Sequence, residues 1–438
     1  MTKRFKLIKV VMVFTVISML LIGCNASEMK VFNALIKQNN MTSYESDTSI
    51  KVNVNVTGLS EEKQMEIQEL LYMINNSDIT LHQQMESNEE QTKVKSQTNI
   101  GMNFAGIVMD MNLWVDSDLS GDELSMKEIF QLPPLMMMSM PESYRNKEYM
   151  VLDLSDIYQN MGQEEVAINS EILKETTELS KEFQLIAEAF FKEYAKDFNF
   201  KKNIISYKGK ETIDGKTAMV YQLKLDDETF KEFLRYATHR LIESDSTEDL
   251  VREYFSIITK FTEDMNTENE VEKEEMTQSL NEMLEVFSED SREEVLNDID
   301  TFFDTIDNFN ILGEEGLLID FKLDKKGNIL NTNGKIHFSI NQNDFNNINI
   351  QQYNTKREPG FPQDTPQTKD TPSSVENMII DIKLEFNQDI YNINEEINIE
   401  IPELTEENSV NYMDMFKIEQ EMMNTQEEVY NTDSNFDF

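Results

Sequence analysis

Ser49-Ile50-Lys51-Val52-Asn53-Val54-Asn55-Val56 alternates polar and apolar side chains without a break. A period of two puts Ile50, Val52, Val54 and Val56 on one face and Lys51, Asn53 and Asn55 on the other, which is the pattern of a half-buried strand. The alternation returns at Ile79 and Leu81, at Ile107, Met109, Met111, Leu113 and Val115, and at Met219, Tyr221, Leu223 and Leu225. Towards the C-terminus it recurs at Leu317, Ile319, Phe321 and Leu323, at Ile336, Phe338 and Ile340, and from Met378 through Phe386. Strands with one apolar and one polar face pair antiparallel with the polar side in water, and Asp214-Gly215 and Lys326-Gly327-Asn328 read as hairpin turns between them.

Helical patterns cover Glu28 to Gln38, Asn169 to Asp197, Glu228 to Glu243, Thr247 to Phe261 and Glu270 to Asn308. In the last, Met276, Leu280, Met283, Leu284 and Phe287 follow one helical stripe. Strands and helices are segregated, so the expected class is α+β. The expected architecture is a curved antiparallel sheet, open and half-barrel-like, with helices packed on its apolar face in one or two lobes. The folded body is expected over 24–355 together with 376–405. REPGFPQDTPQTKDTPSS holds four of the eight prolines and almost no apolar residue, so 356–375 is expected to be a disordered loop. Residues 406–438 read as an acidic tail.

The first residues carry a different signal. Lys3, Arg4, Lys6 and Lys9 precede an apolar run from Val10 to Ile22 that ends in Leu21-Ile22-Gly23-Cys24. The run is shorter than the ~20 residues a span needs. It reads as a signal peptide over 1–23 closed by a lipobox, with Cys24 as the thiol that takes diacylglycerol. The chain has one cysteine, so no disulfide is expected. A lipid anchor with two acyl chains gives durable attachment, because each buried methylene contributes about 0.8 kcal/mol. The expected location is the outer face of the cell membrane.

Asp and Glu number 83 against 39 Lys and Arg, a formal net charge of −44. Such a chain repels a phosphate backbone, so nucleic acid is excluded as a partner, and anionic headgroups would repel the body as well. Hydrophobic residues make up 39% of the chain, enough for a core without disulfides.

Motifs with chemical content are sparse. Gly209 to Thr217, GKETIDGKT, has five residues between its glycines where a phosphate loop needs four, and it joins two alternating runs, so it reads as a hairpin. Asp116, Asp118 and Ser120 followed by Gly121 match the start of a calcium loop and form a weak cation candidate, but Lys127 stands where a bidentate Glu is required. Met102, Met109, Met111, Met126, Met136 to Met138 and Met140 concentrate thioethers. Without a His or Cys cluster beside them they read as a flexible apolar lining rather than a copper site. His82, His239 and His337 lie in unrelated contexts, and no HExxH, GxSxG or GxGxxG occurs. Trp114 is the single tryptophan. The reading is therefore of a protein without catalytic residues, metal or cofactor; a carboxylate hydrolase is the form an enzymatic activity would take.

The lipobox and short helix, then SYESDTSIKVNVNVTGLS, VDSDLSGDE, KEYMVLDLSD, LDKKGNI and INEEINIEIPELTEENSVNYMDM, resemble extracytoplasmic lipoproteins of a clostridial type. Some of these carry a stalk domain named after the N-terminus of copper amine oxidase; no such stalk is visible here, and the resemblance implies neither copper nor amine oxidation. More distantly, a helix followed by an antiparallel sheet on a lipid-anchored chain is similar to the half-barrel of lipoprotein carriers, whose concave face holds acyl chains. That likeness implies a hydrophobic or lipid ligand, lined here by Met109, Met111, Leu113 and Val115. The alternative is a structural or interaction protein with a filled core that docks to an envelope partner.

Overall fold

The structure, a computed structural model, describes residues 26–120, 125–153 apart from 139, 141 and 143, positions between 179 and 194 in part, 198–264, 278, 284–285, 287–342 and 378–414. Cys24, the signal peptide, the Pro-rich loop 356–375 and the tail beyond 414 lie outside the described residues.

Twelve strands form one sheet in the order β12-β6-β5-β4-β3-β2-β1-β11-β10-β9-β8-β7. They are β1 Ser43–Thr57, β2 Ser77–Ser87, β3 Lys93–Phe104, β4 Ile107–Asp118, β5 Ser125–Gln131 and β6 Tyr149–Asp153 in one half. The other half holds β7 Ile205–Ile213, β8 Lys216–Leu225, β9 Leu312–Leu323, β10 Ile329–Asn341 and β11 Ile379–Tyr391; β12 is Ser409–Asn411. The helices whose bounds fall among the described residues are α1 Ala26–Asn39, α2 Glu61–Asn75, α3 Pro134–Met138, α4 Asp227–Glu243, α5 Asp245–Asp264 and α6 Glu289–Ile306. Every pairing is antiparallel except the short β12–β6 pair, and β1 joins the two halves by pairing with β11 from Glu45↔Tyr391 to Thr57↔Ile379.

The expected curved half-barrel is not what forms. The class is α+β, but the sheet is open and not strongly curled: its outer strands β12 and β7 stand at opposite ends of the order. Curl comes from bulges and from the stagger that closure imposes, neither of which alternation encodes. The register shifts that occur are confined to β7–β8 and β9–β10, whereas β1 to β4 and β11 pair in unbroken register.

Turn chemistry explains the hairpins. Asp214 and Gly215 both have positive φ, 48° and 77°, as a two-residue turn between β7 and β8 requires. GKETIDGKT is thus the β7–β8 hairpin. Gly327, at φ 81°, turns β9 into β10 while Asp324 Oδ1 accepts from Lys326 N and Asn328 N.

Helices cover the apolar face at one end only, among the described residues. In α4, Phe230, Phe233, Ala237 and Leu241 are buried against Tyr221, Leu223, Phe321 and Leu323 of β8 and β9, with Val31 and Ala34 of α1 in the same core. Burying each large side chain contributes about 1.5–3 kcal/mol. Asp226 caps α4 by accepting from Thr229 N at 2.8 Å. A second core joins α4, α5 and α6 through Ile242, Val251, Phe255, Ile299 and Phe303. The helix expected over 270–308 is broken: Ser288 accepts from Ser291 N and starts α6 afresh. Of the helix expected over 169–197, the described positions between 179 and 194 are helical. No helix among the described residues is long and apolar enough to cross a membrane.

Candidate functional site

The register sorts the sheet into two chemically distinct faces. On one, Ile50 faces Ile79 across β2, Ile79 faces Met102 across β3, and Met102 faces Met109 across β4. In the other direction Ile50 faces Phe386, and Val52 and Val54 face Leu384 and Ile382. Met109, Met111, Leu113 and Val115, the expected ligand lining, share this face of β4, with Met111 opposite Ile100 and Leu113 opposite Phe130. All four are half-buried, as are Ile50, Val52, Val54, Val56, Ile79, Leu81 and Ile100. On β8 and β9 the same face carries Leu223, Leu225, Phe321 and Leu323, all buried under α4. Apolar side chains in mid-sheet screen one another laterally, so half-burial over β1 to β4 marks a face shielded from the sides more than from above.

The opposite face is polar. One cross-strand row runs Gln131, Asn112, Asn99, His82, Asp47, Asp389 and Asn331. Asn99 donates to Asn112, Asn112 donates to Gln131 at 2.5 Å, and Asn331 donates to Asp389 at 2.7 Å. His82 Nδ1 lies 2.8 Å from Asp47 Oδ1, and the Tyr391 hydroxyl donates to Asp47 Oδ2 at 3.0 Å. Burial, and then that hydrogen bond to a carboxylate, pushes the Tyr391 phenol up to about 12.

The adjacent row is Asp110, Gly101, Thr80, Ser49 and Asn387. Its middle members are small. A Cβ on Gly101 would stand 2.6 Å from Thr80 Oγ1 and 3.6 Å from Asp110 Oδ1, so glycine keeps the space between them open. Between this low row and the taller row beside it lies a pocket of about 540 Å³, lined by residues of β1 to β4 and β11. Thr48, Leu81, Ile100 and Met111 also line it, although alternation assigns their side chains to the other face.

The cation candidate is occupied by protein groups. Asp118 Oδ2 accepts from Lys93 Nζ at 2.8 Å, and its Oδ1 accepts from Ser120 N and Oγ at 3.0 and 2.6 Å. These contacts hold its carboxyl down at about 2. Asp116 stands between Lys95 and Lys127 in the register. No group of three His, Cys, Asp or Glu able to hold a metal occurs among the described residues. The three histidines are separate: His82 is in the polar pocket, His239 of α4 lies 3.0 Å from Asp300, and His337 of β10 lies 3.5 Å from Asp381.

Sequence reasoning placed the apolar strip on β4 but missed the polar pocket. Its residues are spread over five strands, and only their register brings Asp47, His82, Asp110 and Asp389 together. The one available signal was polarity at the outward positions with a glycine, Gly101, among them.

No family model matches the chain, and no curated protein matches it.

Proposed function

We propose that this is an extracytoplasmic lipoprotein, tethered to the outer face of the cell membrane through lipid on Cys24, that binds a hydrophobic or lipid ligand on the apolar face of β1 to β4 and β11. The lipobox Leu21-Ile22-Gly23-Cys24 supports the tether. The observation that carries ligand binding is the contrast along one sheet face, buried at Phe321 and Leu323 yet half-exposed at Ile50, Met109 and Met111. Methionine suits such a surface, because an unbranched thioether adapts to variable acyl chains. Binding rather than catalysis is the reading, since the histidines do not converge on one another.

Native mass spectrometry of protein extracted from cells tests this. A co-purifying lipid, displaced by a fluorescent fatty acid, is the expected result. A clean apo mass and no probe binding would instead favour an interaction protein that docks to an envelope partner. For the tether, Cys24→Ala is expected to release the protein from membranes; its retention through a high-salt wash would refute the anchor.

A further inference from the structure

We propose that the pocket on the polar face is a second binding site, independent of the apolar one, and that it takes a linear polyamine. Its floor is set by side-chain size: Ser49, Thr80 and Gly101 are small, and the next row in one direction is His82, Asn99 and Asn112. Asp78 and Asn103 of the row on the other side are joined by a 3.1 Å hydrogen bond. The result is a trough running across the strands from Asp110 on β4 to Asn387 on β11. Four inter-strand steps make it about 19 Å long, and each flanking row lies about 7 Å from the floor row, so the two stand about 13 Å apart along the strands. That shape suits an extended chain rather than a compact ligand.

Charge selects the chemistry. The lining includes Asp47, Asp110 and Asp389 and no lysine or arginine. These carboxylates are set apart: Asp110 is at the β4 end, Asp47 and Asp389 at the β1 and β11 end, with the uncharged Gly101, Thr80 and Asn99 between. The Asp110 carboxylate makes no hydrogen bond or ion pair among the described residues. Among the described residues Asp389 Oδ2 accepts only from Asn387 Nδ2, at 2.8 Å, so it keeps acceptor capacity. A ligand with an ammonium group at each end and a flexible middle matches this layout, and an anion does not. In the flanking row Lys51 stands between Asp78 and Glu385, and Glu385 also accepts from Lys335 at 2.7 Å, so that row is balanced and the excess negative charge is that of the pocket itself.

The test is isothermal titration of spermine into the full chain in neutral detergent. One-site binding that weakens as salt rises is expected. Gly101→Val fills the trough without changing any charge, and valine suits a strand; it should weaken binding at least tenfold. Asp110→Asn, at an exposed position, should weaken it about tenfold, and 1,5-diaminopentane, too short to reach both ends, should bind at least tenfold less tightly. Both variants should bind a fluorescent fatty acid as the parent does. The proposal is overturned by the absence of spermine binding, or by spermine affinity unchanged in Gly101→Val, which would assign it to the acidic surface at large. A response to an uncharged tetrasaccharide in place of spermine would overturn it too.

Discussion

The side chain of Asn75 hydrogen-bonds both backbone polar groups of Val54: its Oδ1 accepts from Val54 N at 2.6 Å and its Nδ2 donates to Val54 O at 2.9 Å. β2 pairs with β1 only as far as Lys51↔Asp78, so beyond that point the edge of β1 is met by the C-terminal end of α2. Asn75→Ala is expected to cost about 1 kcal/mol, since water replaces part of what is lost at an exposed edge. Amide exchange at Val54 should accelerate. An unchanged exchange rate would show that the edge is protected by something else.

Lys231 presents a buried charge with defined partners. Only 5% exposed, it pairs with Asp227 Oδ2 at 2.7 Å and donates to the carbonyls of Asp307 and Phe309. Asp227 Oδ1 in turn accepts from Ile311 N and Leu312 N at 2.8 Å, which ties the start of α4 to the start of β9. Lys231→Ala is expected to destabilise the fold by about 3 kcal/mol, because the remaining groups keep their desolvation without their partner. Chemical denaturation measures this; a change below about 1 kcal/mol would mean that water replaces the ammonium.

Tyr391 makes stability fall in alkali. Its phenol is pushed up to about 12 in the folded chain, against about 10 when unfolded. Between these values the unfolded chain releases the proton and the folded chain keeps it. Stability is therefore fully present below pH ~10 and declines as pH rises towards ~12. Tyr391→Phe should flatten this slope in part, since burial also raises Tyr194 and Tyr44. Melting temperatures of parent and variant from pH 9 to 12 give the comparison, and parallel curves would remove Tyr391 from the account.

Met111→Trp separates an open apolar face from a filled one. Over an open face the indole has room, so stability should move by less than about 1 kcal/mol while fatty-acid affinity drops. In a filled core the same change overpacks and costs about 1–3 kcal/mol. Lost stability, together with no probe binding by the parent, would end the hydrophobic-ligand reading.

Local periodicity in the sequence was enough to assign Ile50 to Val56, Ile107 to Val115 and Leu317 to Leu323 to strands with one apolar face, and Asp214-Gly215 to a turn. These depend on interactions within a few residues, which the order of side chains states directly. It gave only a short, half-buried stripe for α2, at Ile67, Leu71 and Ile74, diluted by the exposed apolar residues Met65, Leu70 and Tyr72. Nor could it specify the pairing of β1 with β11, because strands separated by most of the chain are matched by complementarity along their whole length. From that pairing follow the open sheet, α1 and α4 gathered over β7 to β10, and the meeting of Asp47, His82, Asp110 and Asp389 on one face. Which residues point the same way is a matter of period two. Which of them become neighbours is decided by register across strands, and that exists only once the chain has folded.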